Sequence, residues 1–190
     1  MQRVMIVGQP GSGKSTLARL MGAQTALPVV HIDHIHWQPG WVERTRAEKT
    51  RMCLAVEAGE VWIFEGGHSA TWENRLARAD TLIWLDVPVW RRIMRVMWRT
   101  VVWHGRSRPD LPQNCPEGMN GETLRFWRFI LRTRTPSRAR IVALWESVPA
   151  GKARVRLCRL VEVRRFLAGL AMGYAAPHMP CDVDPAPRDP

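Results

Sequence analysis

The sequence predicts an α/β fold, a three-layer α/β/α arrangement with a five-stranded parallel sheet in the middle. Two observations carry this. The stretch "GQPGSGKS", Gly8 to Ser15, follows a short apolar run and opens a helical one. Behind it, further strand-like runs alternate with helical segments to about Leu170. Strands that alternate with helices form parallel sheets joined by right-handed crossovers.

The first strand is Arg3 to Val7, β-branched and apolar, and the helix after the glycines has Leu17, Leu20 and Met21 at helical spacing. Between them Gly8 to Ser15 fits G-x-x-x-x-G-K-[ST]. In that pattern glycines turn backbone N–H groups toward phosphate oxygens, the lysine reaches the β- and γ-phosphates, and the hydroxyl ligates Mg²⁺. Gly8, Pro10, Gly11, Ser12, Gly13, Lys14, Ser15 and Thr16 are therefore the expected phosphate-binding residues of an ATP site.

"LPVVHID" reads as a second strand ending at Asp33, followed by the aromatic, turn-rich loop "HIHWQPGW". Thr45 and Glu48 form a T-x-x-E capping box that opens a helix to about Ala58. "VWIFE" is a third strand closed by Gly66 and Gly67, "WENRLARA" a helix, and "TLIWLD" a fourth strand ending at Asp86. Pro88 starts a helix to Trp103. A proline-rich loop, two helices (about Glu122–Arg134 and Ser137–Ser147), the strand "ARVRLC" and a closing helix complete the fold. Residues 1–174 are expected to form one domain, with an acceptor side near 34–60 and an arginine-rich helical lid near 103–121. The tail, 175–190, is proline-rich and expected to be disordered.

In a parallel sheet the ligand lies beyond the C-terminal strand ends. That gathers three carboxylates. Glu65 and Asp86 are candidates, with Ser15, to hold Mg²⁺. Asp33 faces the expected acceptor space, where it can serve as a general base, bind Mg²⁺ or bind a substrate hydroxyl. His31, His34 and His36 alternate as on an extended segment and read as polar lining.

The net charge is +11, and the only lysines are Lys14, Lys49 and Lys152. From Arg91 to Arg140 twelve arginines face three acids, 12 − 3 = +9. Arginine suits bidentate recognition of phosphate. Arg91, Arg95 and Arg99 form one helical stripe, and Ile93, Met97 and Val101 another, expected to face the core. Arg106 and Arg108 lie in the lid, and Arg132 and Arg134 follow it. Such a group would neutralise charge during phosphoryl transfer. Of ten tryptophans, Trp62 and Trp84 are expected in the core, and Trp37 and Trp41 beside the acceptor.

Four scattered cysteines argue against a zinc site or a disulfide framework. With strand one so near the N-terminus there is no room for a signal peptide, and no apolar run approaches a membrane span of roughly 20 residues. The expectation is a cytoplasmic protein with no membrane partner, monomeric or weakly self-associating.

The chain resembles the P-loop nucleoside monophosphate kinase superfamily, and more closely the bacterial DNA topology modulation (FlaR-like) proteins. The pieces are "GQPGSGKSTLAR", "VVHIDHIHWQPGWV", "WIFEGGHSATWENRLARADTLIWLD", "GRSRPDLPQNCPEG" and "VEVRRFL". The resemblance implies a P-loop NTPase fold, nucleotide-kinase-like, and ATP-dependent phosphoryl transfer with Mg²⁺. It implies nucleotide-binding roles for Arg95 and Arg99, a metal role for Glu65, and a match for Arg75. The chain departs from the relatives at "EGGH", and Ala70 and Thr71 stand where nucleotide kinases carry a phosphate-gripping arginine.

Three acceptors follow. The first expected is a nucleoside monophosphate, which needs no base but needs arginine clamps, with Arg44, Arg46 and Arg75 as candidates beside Trp37, Trp41, Gly66 and Gly67. A hydroxyl-bearing small molecule needs Asp33. A nucleic acid would use the basic segment.

Overall fold

The computed structural model describes residues 1–119 and 121–172, and the tail expected to be disordered lies outside the described residues. The main sheet has five parallel strands: β1 (Arg3–Gly8), β2 (Val29–His31), β5 (Trp62–Glu65), β6 (Thr81–Leu85) and β7 (Ala153–Leu157). Their spatial order is β2-β5-β1-β6-β7, so the phosphate-loop strand β1 is central. Its Val4 and Ile6 pair in register with Ile63 and Glu65 on one side and with Thr81 and Ile83 on the other.

Side chains alternate across a strand, and that alternation builds two cores. Val4, Ile6, Ile63, Ile83, Val155 and Leu157 pack against α1 (Lys14–Thr25) and α8 (Leu160–Ala171) through Leu17, Met21 and Phe166. Met5, Val7, Phe64, Leu82, Trp62 and Trp84 face the other way. They meet α2 (Ile32–His36), α3 (Arg46–Glu57), α4 (Trp72–Arg78) and α7 (Arg134–Glu146). Trp62 and Trp84 are core residues, as the sequence suggests. The Thr45–Glu48 capping box is present: Glu48 N donates to Thr45 Oγ1 at 3.3 Å and Thr45 N donates to Glu48 Oε2 at 2.9 Å. Such a cap stabilises a helix by about 1 kcal/mol.

Four expectations are corrected. Strand two stops at His31, and Asp33 lies in the first turn of α2. The histidines therefore do not alternate on an extended segment. The aromatic loop is a small hairpin, β3 (Trp37–Gln38) against β4 (Val42–Glu43), turning through Pro39 and Gly40. The lid, 103–119, contains no helix. It is a loop pinned by the isolated bridges His104–Glu117 and Ser107–Pro116, between α5 (Val89–Val102) and α6 (Gly121–Arg132). On α5 the inward face is Arg92, Val96 and Thr100, while Met97 and Val101 are exposed. Among the cysteines, Cys53 and Cys115 are buried free thiols, and Cys158 is disulfide-bonded.

Candidate active site

The phosphate loop is shaped by backbone that only glycine adopts easily. Gly11 has φ +78°, and a Cβ there would lie 2.6 Å from the Arg92 carbonyl oxygen. Gly13 caps α1 in the left-handed region, so the N-terminus of α1 opens toward the loop. A helix N-terminus carries partial positive charge and free N–H groups, which suits an anion. Lys14 Nζ donates to the Gln9 carbonyl at 3.4 Å, curling back over the loop.

Neighbouring elements hold the loop by its carbonyls. Arg95 Nη1 donates to Ser12 O at 2.8 Å, and Arg92 Nη1 to Pro10 O at 3.4 Å. Gln9 Nε2 donates to Arg134 O at 2.6 Å, bringing the start of α7 against the loop. Arg106, Arg132 and Arg134 have exposed side chains.

The lid closes against the acceptor side. Gly40 N donates to Asn114 O at 3.0 Å, and Trp41 Nε1 to Pro116 O at 3.1 Å. Trp41 N donates to Cys115 Sγ at 3.4 Å, and a His34 ring nitrogen lies 3.3 Å from Pro109 O. Trp37 packs edge-on against Trp41 at 5.3 Å. Beneath these contacts lies a charged cluster. Arg108 pairs with Asp110 at 2.5 Å and with Glu117 at 2.7 Å, and Arg99 pairs with Glu117 at 3.3 Å. Buried Arg99 Nε, Arg108 Nε and Glu117 Oε1 make no well-aligned hydrogen bond. Burial, then the Arg108 charge, lowers the Arg99 guanidinium pKa. The sequence reading missed Asp110 and Glu117. The signal was there: they are two of only three acids in a strongly basic segment.

Asp33 sits next to this cluster in its electrostatics. Burial, and then the Glu65 carboxylate, push its carboxyl pKa above the ordinary value, while Arg108 and Lys14 oppose them. Glu65 is buried and lies 2.8 Å from His31 Nδ1. Gly66 follows with φ +108°, and a Cβ there would strike Ile32 Cγ2 at 2.0 Å. The close approach of β5's end to α2 thus requires glycine. Gly67 has room for a side chain, its nearest neighbour being Trp72 at 4.0 Å.

Three sequence candidates have other engagements. Asp86 accepts from Arg138 at 2.9 Å and from Arg156 at 2.5 Å. Arg44 Nη1 donates to the carbonyls of His34, Ile35 and Trp37, closing the C-terminus of α2. Arg75 has a fully buried side chain: it pairs with Glu57 at 2.9 Å, donates to Gly66 O at 3.1 Å, and stacks on Phe64. Neither Arg44 nor Arg75 is placed as an acceptor clamp.

The residues fit a nucleoside triphosphate. Ser12 Oγ is a buried polar atom without a hydrogen bond, in a glycine loop at a helix N-terminus. For Mg²⁺, Ser15 and Glu65 offer hard oxygen donors. No group of three or more His, Cys, Asp or Glu among the described residues could hold a metal alone. An ion bound largely by phosphate and water, with one or two protein oxygens, suits such a site.

No protein-family model matches the chain, and no curated protein matches it. Solved structures do. The shikimate kinase of Acinetobacter baumannii, in complex with shikimate, superposes with a TM-score of 0.54 at 15% identity, covering 91% of this chain and 94% of its own. The shikimate kinase of Bacteroides thetaiotaomicron gives 0.52 at 15% identity, over 90% and 97%. At such identity the likeness concerns the fold. The chain has the three-layer fold of these P-loop kinases, over nearly its whole length.

Proposed function

We propose that this protein transfers the γ-phosphoryl group of ATP to a hydroxyl of a small molecule, with Asp33 as the base. The observation that carries this is the contrast between Asp33 and the two arginines. Asp33 is half-buried in the first turn of α2, and burial, then the Glu65 charge, raises its carboxyl pKa against Arg108 and Lys14. A base works best when its pKa approaches the working pH. Arg75, a clamp a monophosphate acceptor would need, is spent on Glu57, and Arg44 turns its Nη1 to the carbonyls at the end of α2. A structural neighbour bound to shikimate supports a small acceptor.

In this reading Lys14 and the loop N–H groups bind the β- and γ-phosphates, with Arg95 close to the loop. Ser15 and Glu65 would hold Mg²⁺, which would supply neutralisation of the phosphate charge. Asp33 orients the acceptor hydroxyl and takes its proton. The acceptor oxygen forms a bond to Pγ as the bond from Pγ to the bridging oxygen breaks, and ADP leaves with the electron pair. Arg99 and Arg108 stabilise the charge on the transferring oxygens, and the docked lid excludes water. Trp37 and Trp41 border the acceptor.

The test is mass spectrometry of acceptor pools after incubation with Mg-ATP. A phosphomonoester formed from a hydroxyl compound supports the reading. A nucleoside diphosphate formed from a monophosphate would restore the monophosphate acceptor.

A further inference from the structure

Helix α5 is turned inside out. A surface helix ordinarily buries its apolar stripe and shows its charged face to water. On α5 the arginine face points inward. Arg92 is buried and donates to Val87 O at 3.1 Å, Arg95 reaches Ser12 O, and Arg99 pairs with Glu117. The outward face holds Trp90, Met94, Met97, Trp98, Val101 and Val102, all exposed, with Trp98 at 71% and Met94 at 61%. Their spacing, 90, 94, 97–98 and 101–102, makes one continuous stripe. The neighbouring α6 adds exposed Leu124, Phe129 and Leu131.

The charges around this stripe have one sign. Arg125, Arg128 and Arg132 on α6 have exposed side chains. Helix α5 contains no acid, and α6 contains one, Glu122, in its first turn. The Arg91 guanidinium lies 4.9 Å over the Trp90 ring, an arginine held at the edge of the apolar stripe. Indoles, aliphatic side chains and arginines on one helix are the composition of a segment that lies in a membrane interface. No described helix is long and apolar enough to cross a membrane.

We propose that the exposed face of α5, with the adjoining face of α6, docks on an anionic lipid surface. Trp90 and Trp98 sit at headgroup depth, Met94, Met97, Val101 and Val102 enter the acyl boundary, and the arginines pair with lipid phosphates. A second copy would bring two cationic faces together with almost no acid to offset them. A nucleic acid would engage the arginines and indoles but leave four aliphatic side chains in water.

The experiment is co-sedimentation of the full chain with vesicles of phosphatidylcholine alone or mixed with phosphatidylglycerol. Binding to the mixed vesicles, weak binding to the neutral ones, and a loss of about tenfold or more in Met94→Ser/Trp98→Ser are expected. Both positions are exposed, and unchanged circular dichroism and ATP affinity would show that the variant is folded. The proposal is overturned if mixed vesicles do not bind, or bind the variant equally well. It is also overturned if the same substitutions instead dissolve a dimer in ultracentrifugation or abolish single-stranded DNA binding.

Discussion

Glu117 lies 2.7 Å from Arg108, and both side chains are almost wholly buried within the lid. The same carboxylate oxygen faces Arg99 at 3.3 Å. A carboxylate between two guanidiniums occupies ground that a phosphate would favour. On the proposed function, Glu117 holds Arg108 and Arg99 together until a triphosphate competes for them.

Glu117→Gln should separate two effects. Without nucleotide the arginines lose their counter-charge, and thermal unfolding should show a loss of about 1–3 kcal/mol. With Mg-ATP the competition is gone, and calorimetry should show binding roughly three- to tenfold tighter. Weaker ATP binding would instead make Glu117 a support of the bound state.

Arg75→Ala should be a stability variant. Removing one partner of a buried ion pair typically costs about 3–5 kcal/mol, and here it also strands Glu57, whose side chain is fully buried. Urea unfolding measures this directly. An unchanged midpoint with a raised acceptor KM would return Arg75 to the acceptor site.

Asp86 and Glu65 should differ. Asp86→Asn loosens Arg138 and Arg156 and should lower stability by about 1–3 kcal/mol, with the Mg²⁺ dependence of turnover unchanged. Glu65→Gln should raise the Mg²⁺ concentration needed for half-maximal turnover. The reverse pattern, measured by magnesium titration of ADP release, would exchange their roles.

The sheet, the phosphate loop and the capping box at Thr45 were legible because each rests on local chemistry: alternation, a glycine pattern, a reciprocal hydrogen bond. Asp33 was legible as a candidate, but its place in a helix was not. The turn after His31 is set by packing of Ile32 and Ile35 against the sheet, which no local pattern announces. Arg44 and Arg75 resemble free cations in sequence. Their partners lie up to ten residues away in one case and up to eighteen in the other. The inversion of α5 was misread for a related reason: periodicity locates the two faces of a helix but not which one meets the protein.

The raised pKa of Asp33 has a consequence for stability. A carboxyl whose folded pKa lies above its unfolded value binds its proton more tightly when folded. Its contribution is therefore most favourable below the ordinary carboxylate pKa and is lost as pH rises through the folded value. Asp33→Asn does not titrate. Its melting temperature relative to the parent should thus climb as pH rises above the ordinary carboxylate pKa, as followed by calorimetry at several pH values. A flat difference would mean that Asp33 is not desolvated.

The central claim is tested most directly by ADP release from Mg-ATP, in the parent chain and in Asp33→Asn, with hydroxyl-bearing small molecules and nucleoside monophosphates as acceptors. The account expects turnover with a hydroxyl acceptor and a fall of about 10²- to 10⁴-fold in Asp33→Asn, with ATP affinity little changed. Turnover that requires a nucleoside monophosphate and survives Asp33→Asn would contradict it.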